Sequence, residues 1–181
     1  MSLTITHAGT TQTRTGVGQR TGGKIIRVLP VVIAGTTHNN DVMFANIEIE
    51  NAVEFAGGCS KLSAIYVLDV DNEGHNMDLV FMQKNTALGT VDSGPNISDP
   101  NAKAANICGV ISLDFTDRQC SLGGSNLTGF SDGAAGTMPN IPMLLQAEPG
   151  STSVYLGGIA REEIDFDAIT DLQIILHIEY L

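Results

Sequence analysis

Apolar and polar positions alternate with a period of two through most of this chain, which is the signature of strands with one face buried. The stretch "DVMFANIEIENAVEF" (41–55) puts Met43, Ala45, Ile47 and Ile49 on one face and Phe44, Asn46, Glu48 and Glu50 on the other. "KLSAIYVLDV" (61–70) is apolar on both faces, with Leu62, Ala64, Tyr66 and Leu68 alternating against Ser63, Ile65 and Val67, as in a central strand. "MDLVFMQ" (77–83) answers it, and the two predict a hairpin with the acidic segment between them as its tip. "VISLDF" (110–115), "IPMLLQA" (141–147), "SVYLGGIA" (153–160) and "DLQIILHIEYL" (171–181) predict further strands. "KIIRVLPVVI" (24–33) carries Pro30, which has no N–H for a ladder, so it predicts an edge strand or two short ones.

Helical periodicity is nearly absent. One short helix is expected near 98–109, where Ser98 or Asp99 can cap, Pro100 suits the first turn and Gly109 can stop it. Segments 35–41 and 56–60 read as loop and turn, and the Gly-rich 121–140 reads as a long loop or loose meander. Eight or so strands with Gly, Asn and Asp turns predict an all-β, antiparallel β-sandwich of jelly-roll type with an extended N-terminal arm. Residues 1–34 form the arm and edge strand, and residues 35–181 the sandwich domain. Of residues 1–24, twelve are Thr or Gly. Such a segment buries too little surface to offset its own ordering entropy, so the arm is expected to be held by the body or by a neighbouring subunit.

Composition sharpens this picture. Only 16% of residues are charged, against about 25% in an average soluble domain. That predicts a Thr/Ser/Asn-rich or partner-covered surface. Charge is also unevenly spread. Residues 1–40 carry Arg14, Arg20, Lys24 and Arg27 and no acid, while the rest carries 5 bases against 20 acids, giving −11 in all. A basic arm on an acidic body is a partner-binding pattern. Four dispersed bases with no aromatic among them are a poor platform for nucleic acid, so no nucleic-acid partner is expected. No apolar run approaches the roughly 18 residues of a membrane span, and neither a membrane partner nor a secretory signal is expected. Cys59, Cys108 and Cys120 are odd in number and widely spaced, and read as reduced, semi-buried thiols. The sequons at Asn96 and Asn126 then count as chance matches.

Candidate chemistry is sparse. Asp69, Asp71, Glu73 and Gly74 match positions 1, 3, 5 and 6 of an EF-hand loop, but position 12 is Val80 and strands flank the loop where helices are needed. A solvated turn is the reading, with no metal and no cofactor expected. His7, His38, His75 and His177 lack ligand spacing. "GVGQRTGG" (16–23) lacks the GK[ST] ending of a phosphate loop, and no GxSxG elbow is present. "AREEIDFD" (160–167) reads as an acidic rim. No catalytic residue emerges, and an enzyme is not expected.

One resemblance stands beside this reading. Asn40–Val42 as an "NDV" opening, the Gly57–Gly58 turn, the "KLSAIYVLDVDNEGHNMDLVF" element (61–81) and the Asn85–Thr90 segment follow the pattern of a family of tailed-phage virion proteins. "ISDPNAKAANICGVISL" (97–113) and the closing "SVYLGGIAREEIDFDAITDLQIILHIEYL" (153–181) continue it. The likeness runs from residue 40 to the end with a gap at 121–140, and leaves the arm unmatched. It implies a capsid decoration, or cement, protein: a homo-oligomeric β-sandwich, trimeric at local three-folds, on the outer surface of the virion head. Its partner would be the major capsid protein. Arg14, Arg20, Lys24 and Arg27 are the capsid-contact candidates, and strands at 25–33 or 41–50 are placed to extend a neighbour's sheet. The alternative is a receptor- or carbohydrate-binding sandwich of a tail fibre or adhesin. That reading has six Phe, three Tyr and no Trp from which to build a sugar platform.

Overall fold

A computed structural model describes residues 2–7, 10–15, 22–71, 74, 76–115, 119–131 and 141–181; for 2–15 and Gln119 it describes the backbone. Near the N-terminus β1 (Ser2–His7) and β2 (Thr10–Thr15) pair antiparallel as a two-stranded ladder. The body then runs β3 (Gly23–Val28), β4 (Gly35–Thr37), β5 (Val42–Ile49), β6 (Cys59–Asp69) and β7 (Met77–Met82). After the helix α1 (Asp99–Ala104) come β8 (Ile107–Leu113), β9 (Gln119–Ser121), β10 (Asn126–Ser131), β11 (Met143–Gln146), β12 (Val154–Ala160), β13 (Ile164–Phe166) and β14 (Leu172–Tyr180).

Two antiparallel sheets face each other. One has the order β3-β14-β6-β10-β9, with β11 also paired to β6, and the other β5-β12-β7-β8. Numbering the eight principal strands β3, β5, β6, β7, β8, β10, β12 and β14 from one to eight gives sheet orders 1-8-3-6 and 2-7-4-5. That is the jelly roll, in which the chain crosses repeatedly from sheet to sheet. The chain is therefore an all-β antiparallel sandwich with one short helix, as its periodicity predicts.

The topology corrects several local expectations. β6 and β7 do not form a hairpin, because they lie in opposite sheets. The acidic segment between them crosses the end of the sandwich. Asn76 fixes that crossing: its carbonyl accepts from Arg161 N–H at 2.9 Å, its side chain accepts from Phe115 N–H at 2.8 Å, and its own N–H donates to Glu162. The expected loop at 35–41 contains β4, paired with β13. Within 121–140, Asn126–Ser131 is a full strand along β6; residues 132–140 lie outside the described residues. Helix α1 ends not at Gly109, which sits inside β8, but before Asn106, whose φ of 48° lies in the left-handed region that asparagine tolerates. β3, grouped with the arm by sequence, is hydrogen-bonded along its length to β14. It is an edge strand, and Pro30 lies just beyond its end.

Strict alternation also fails inside the two best strands, and bulges are the cause. In β6 the ladder with β14 skips Ser63, whose hydroxyl donates to the His177 carbonyl at 3.1 Å. One extra residue reverses the faces. Leu62 points inward before it and Ile65 and Val67 after it, while Ala64, Tyr66 and Leu68 lie on the outer face. In β5 two register shifts against β12 let Met43, Phe44 and Ile49 all join the core, so Phe44 leaves the face it would share with Glu48.

The core between the sheets is dominated by aliphatic groups with Phe44, Phe81, Phe115 and Phe166 fully buried. Phe44 and Gly158 are cross-strand partners, and a Cβ on Gly158 would collide with the Phe44 ring, so glycine is needed there. The same device recurs on the other sheet, where Tyr66 lies over its partner Gly129. A second, smaller core of Val42, Val80, Met82, Leu88 and Ala105 lies on the outer face of the four-stranded sheet. The connection from β7 to β8, which includes α1, folds back over that face. Its hydrogen bonds include Gln83 N–H to Asn106 O and Lys84 N–H to Ala105 O.

Candidate interaction surface

The outer face of the six-stranded sheet carries no such cover from the described residues. The register sets Arg27, Ile175, Tyr66 and Gly129 in one row across it, with Ile25 and His177 paired in the next. Tyr66 and His177 stack with ring centroids 4.8 Å apart and planes tilted by 44°. The absence of a side chain at Gly129 is what lets the Tyr66 ring lie flat, since a Cβ there would come within 2.7 Å of it. Leu68, Leu127 and Ile175 are half-buried, and Ile25 is 50% exposed. Just beyond β3, Leu29 and Val31 are 65% and 66% exposed. Apolar side chains alternating outward along an edge strand form a surface suited to a partner.

That edge opens onto a cleft. β3 and β5 are the terminal strands of their two sheets, and between them lies a space of about 360 Å³. Ile26 and Ile47, both packed against the core, lie in it. Lys24 and Arg27 stand on the β3 wall, and Glu48 and Glu50 on the β5 wall. Asn51 also lines the cleft, and its carbonyl accepts from the Tyr180 hydroxyl at 2.9 Å. Burial first, and then the charge of Glu54, holds the Tyr180 phenol above the ordinary value.

Of the four basic residues singled out by sequence, the structure brings Lys24 and Arg27 together on this wall. Neither makes a salt bridge among the described residues. Arg14 lies in β2, its backbone opposite Leu3, and Arg20 lies outside the described residues, as does most of the glycine-rich 16–23 stretch. Nothing in the local pattern marks Tyr66, Gly129 and Ile175 as neighbours of Arg27. Their positions come from the ladder register across three strands.

The acidic crossing is occupied with its own backbone. Asp69, buried, accepts from Asp71 N–H at 3.0 Å and Gly74 N–H at 2.7 Å, which satisfies donors of the turn. Asp71 accepts from Asp167 N–H at 2.7 Å. The two carboxyls repel and share a hydrogen bond, and this raises the Asp167 pKa above its ordinary value. Among the described residues no group of three or more His, Cys, Asp or Glu is placed to hold a metal; Glu73 and His75 lie outside them. Asp78, at the far end, is buried and ion-paired to Arg161, which keeps the guanidinium charged. His38 faces Glu163 at 3.6 Å on the surface. Cys59 and Cys108 are free and half-buried, with burial pushing the Cys108 thiol up, whereas Cys120 is exposed, contrary to expectation.

These features define the class as far as structure takes it: a jelly-roll sandwich with one face self-covered and one face and edge open. No family model matches the chain, and no curated protein matches it. Among solved structures, the Gt strain of infectious bursal disease virus is similar at 13% identity and a TM-score of 0.17, covering 97% of this chain and 45% of that one. The T13 particle of that virus is similar at 8% identity and a TM-score of 0.17, over 93% and 43%. The chain thus spans less than half of those chains, and neither a shared fold nor a shared role follows from TM-scores of this size.

Proposed function

We propose that this protein is a bacteriophage capsid decoration protein, which binds the outer head surface as a homo-oligomer and braces contacts between capsomers. The observation that carries the proposal is the contrast between the two outer faces of the sandwich. A chain that covers one sheet with its own connection, while leaving Ile25, Leu29, Val31, Tyr66 and Ile175 in reach of solvent on the other, is shaped to be covered by a partner. The sequence pattern from residue 40 onward supports the virion assignment. The jelly roll supports it by analogy alone, since that fold serves viral capsid and lectin domains alike. Function would rest on multivalency. Several weak contacts presented by one oligomer raise avidity by about 10²–10⁴ over a single one, and the arm with Arg14 and Arg20 would add a contact per subunit.

The test is co-sedimentation with heads assembled without this protein. Because β3 belongs to the six-stranded sheet, the arm deletion must stop at residue 21 to leave the body folded. The full chain is expected to sediment with heads, and the 1–21 deletion to lose binding while keeping its melting temperature. Undiminished binding by the deletion would remove the arm from the mechanism, and no binding by the full chain would overturn the proposal. The alternative, a carbohydrate-binding sandwich, predicts instead specific retention on a glycan array.

A further inference from the structure

We infer that the open β3/β5 side of the sandwich is a self-association edge, at which a second copy of this chain docks about a two-fold axis running parallel to the strands. Among the described residues β3 pairs only with β14, and β5 pairs with β12 alone except at its Val42 end. Each therefore turns a row of backbone N–H and C=O groups outward, and such edges pair with another strand unless something prevents it. On β5 the Val42 end is already occupied, by hydrogen bonds to Asp92 and Ser93, which leaves the Ile47–Ile49 end free.

Charge selects the pairing. Lys24 and Arg27 on β3 would face the same cations if two β3 edges met, and Glu48 and Glu50 would face the same anions if two β5 edges met. Like charges directly opposite across a ladder are destabilising. β3 against β5 of the second copy sets cations against carboxylates instead. Since both strands flank one cleft, one per sheet, a two-fold axis along the strand direction makes this pairing twice at once. Each six-stranded sheet then continues into the four-stranded sheet of the other copy. The interface is self-complementary and closed, so it yields a dimer and not a filament. The half-buried Ile26 and Ile47 of both copies would lie across one seam, completing the apolar packing that the cleft leaves open.

The test uses the full chain and two charge-reversed variants, Lys24→Glu/Arg27→Glu and Glu48→Lys/Glu50→Lys, in sedimentation velocity over a concentration series. The full chain is expected to dimerise. Each variant alone is expected to weaken association by about 10²-fold or more, the cost of juxtaposed like charges. An equimolar mixture of the two is expected to recover the dimer, because the acidic β3 and β5 of one then meet the basic β3 and β5 of the other. Thermal melts show whether each variant is folded. Amide exchange of the unmutated chain gives a second readout that needs no variant: the amides of Ile25–Arg27 and Ile47–Glu50 should slow with rising concentration. A full chain that stays monomeric, a dimer indifferent to both variants, or a mixture that fails to recover would each overturn the inference. Head binding is read separately. Oligomers that survive both charge reversals leave the decoration proposal standing and overturn only this edge. A chain that stays monomeric removes the multivalency of that proposal as well. A dimer that does not sediment with heads upholds this edge alone.

Discussion

The two outer faces of this sandwich begin from similar strands and end differently. On the four-stranded sheet Val42, Val80 and Met82 face outward, and the chain returns over them with Leu88, Val91 and Ala105 to build a second core. On the six-stranded sheet Ile25, Tyr66, Leu68 and Ile175 face outward, and no described segment returns. The cause is the length of the connections. The β7–β8 connection is long enough to fold back, whereas the outer side of β14 and β3 depends on other residues or other molecules.

Removing the partner of a buried charge tests the covered face most severely. Arg161→Ala strands the Asp78 carboxylate, which is only 3% exposed. The expected loss is roughly 3 kcal/mol, the cost of breaking a buried pair on one side. Asp78→Leu in the same chain should recover much of it. Chemical denaturation of the single and double variants decides; an Arg161→Ala protein as stable as the parent would mean that Asp78 is rehydrated.

Truncation of the apolar groups then separates the faces directly. Leu88→Ala should cost about 2–3 kcal/mol, because a closed core is left with a cavity. Ile175→Ala, on the open face, should cost less than Leu88→Ala in the isolated chain, since that side chain is partly in water. Equal losses would show that the open face is covered in solution.

The smallest effect lies at the acidic crossing. Asp167 holds protons more tightly in the folded chain than in the unfolded one because of Asp71. More protons bound in the native state means that stability falls as pH rises through the carboxylate range, and is level above it. Asp71→Asn keeps an oxygen for the Asp167 N–H but removes the repelling charge. The Asp167 titration followed by NMR should move down towards its ordinary value, and that part of the pH dependence should disappear.

Much of this fold is legible in the chain. Period-two alternation, Pro30 at an edge and the Gly57 turn, with φ of 72°, follow from the local chemistry of single residues. The basic cluster at Lys24 and Arg27 was visible as charge. Its acidic counterpart at Glu48 and Glu50 was visible too, but not the cleft that joins them. Alternation groups Leu62 with Ala64, Tyr66 and Leu68 on one face, but the bulge at Ser63 separates Leu62 from them and leaves no composition signal: one extra residue reverses every side chain after it.

An all-β chain with apolar faces to bury is already written in the residues, because side-chain alternation and turn chemistry act over a few positions. Tertiary structure alone decided that "LDVDNEGHNMDLVF" (68–81) crosses between sheets. A hairpin and a crossover place the same demands on the turn, and strand partnership is settled only by the packing of strands far apart in the chain. Tertiary structure also decided which sheet face the chain covers and which edge it leaves open, since both depend on where a long connection returns.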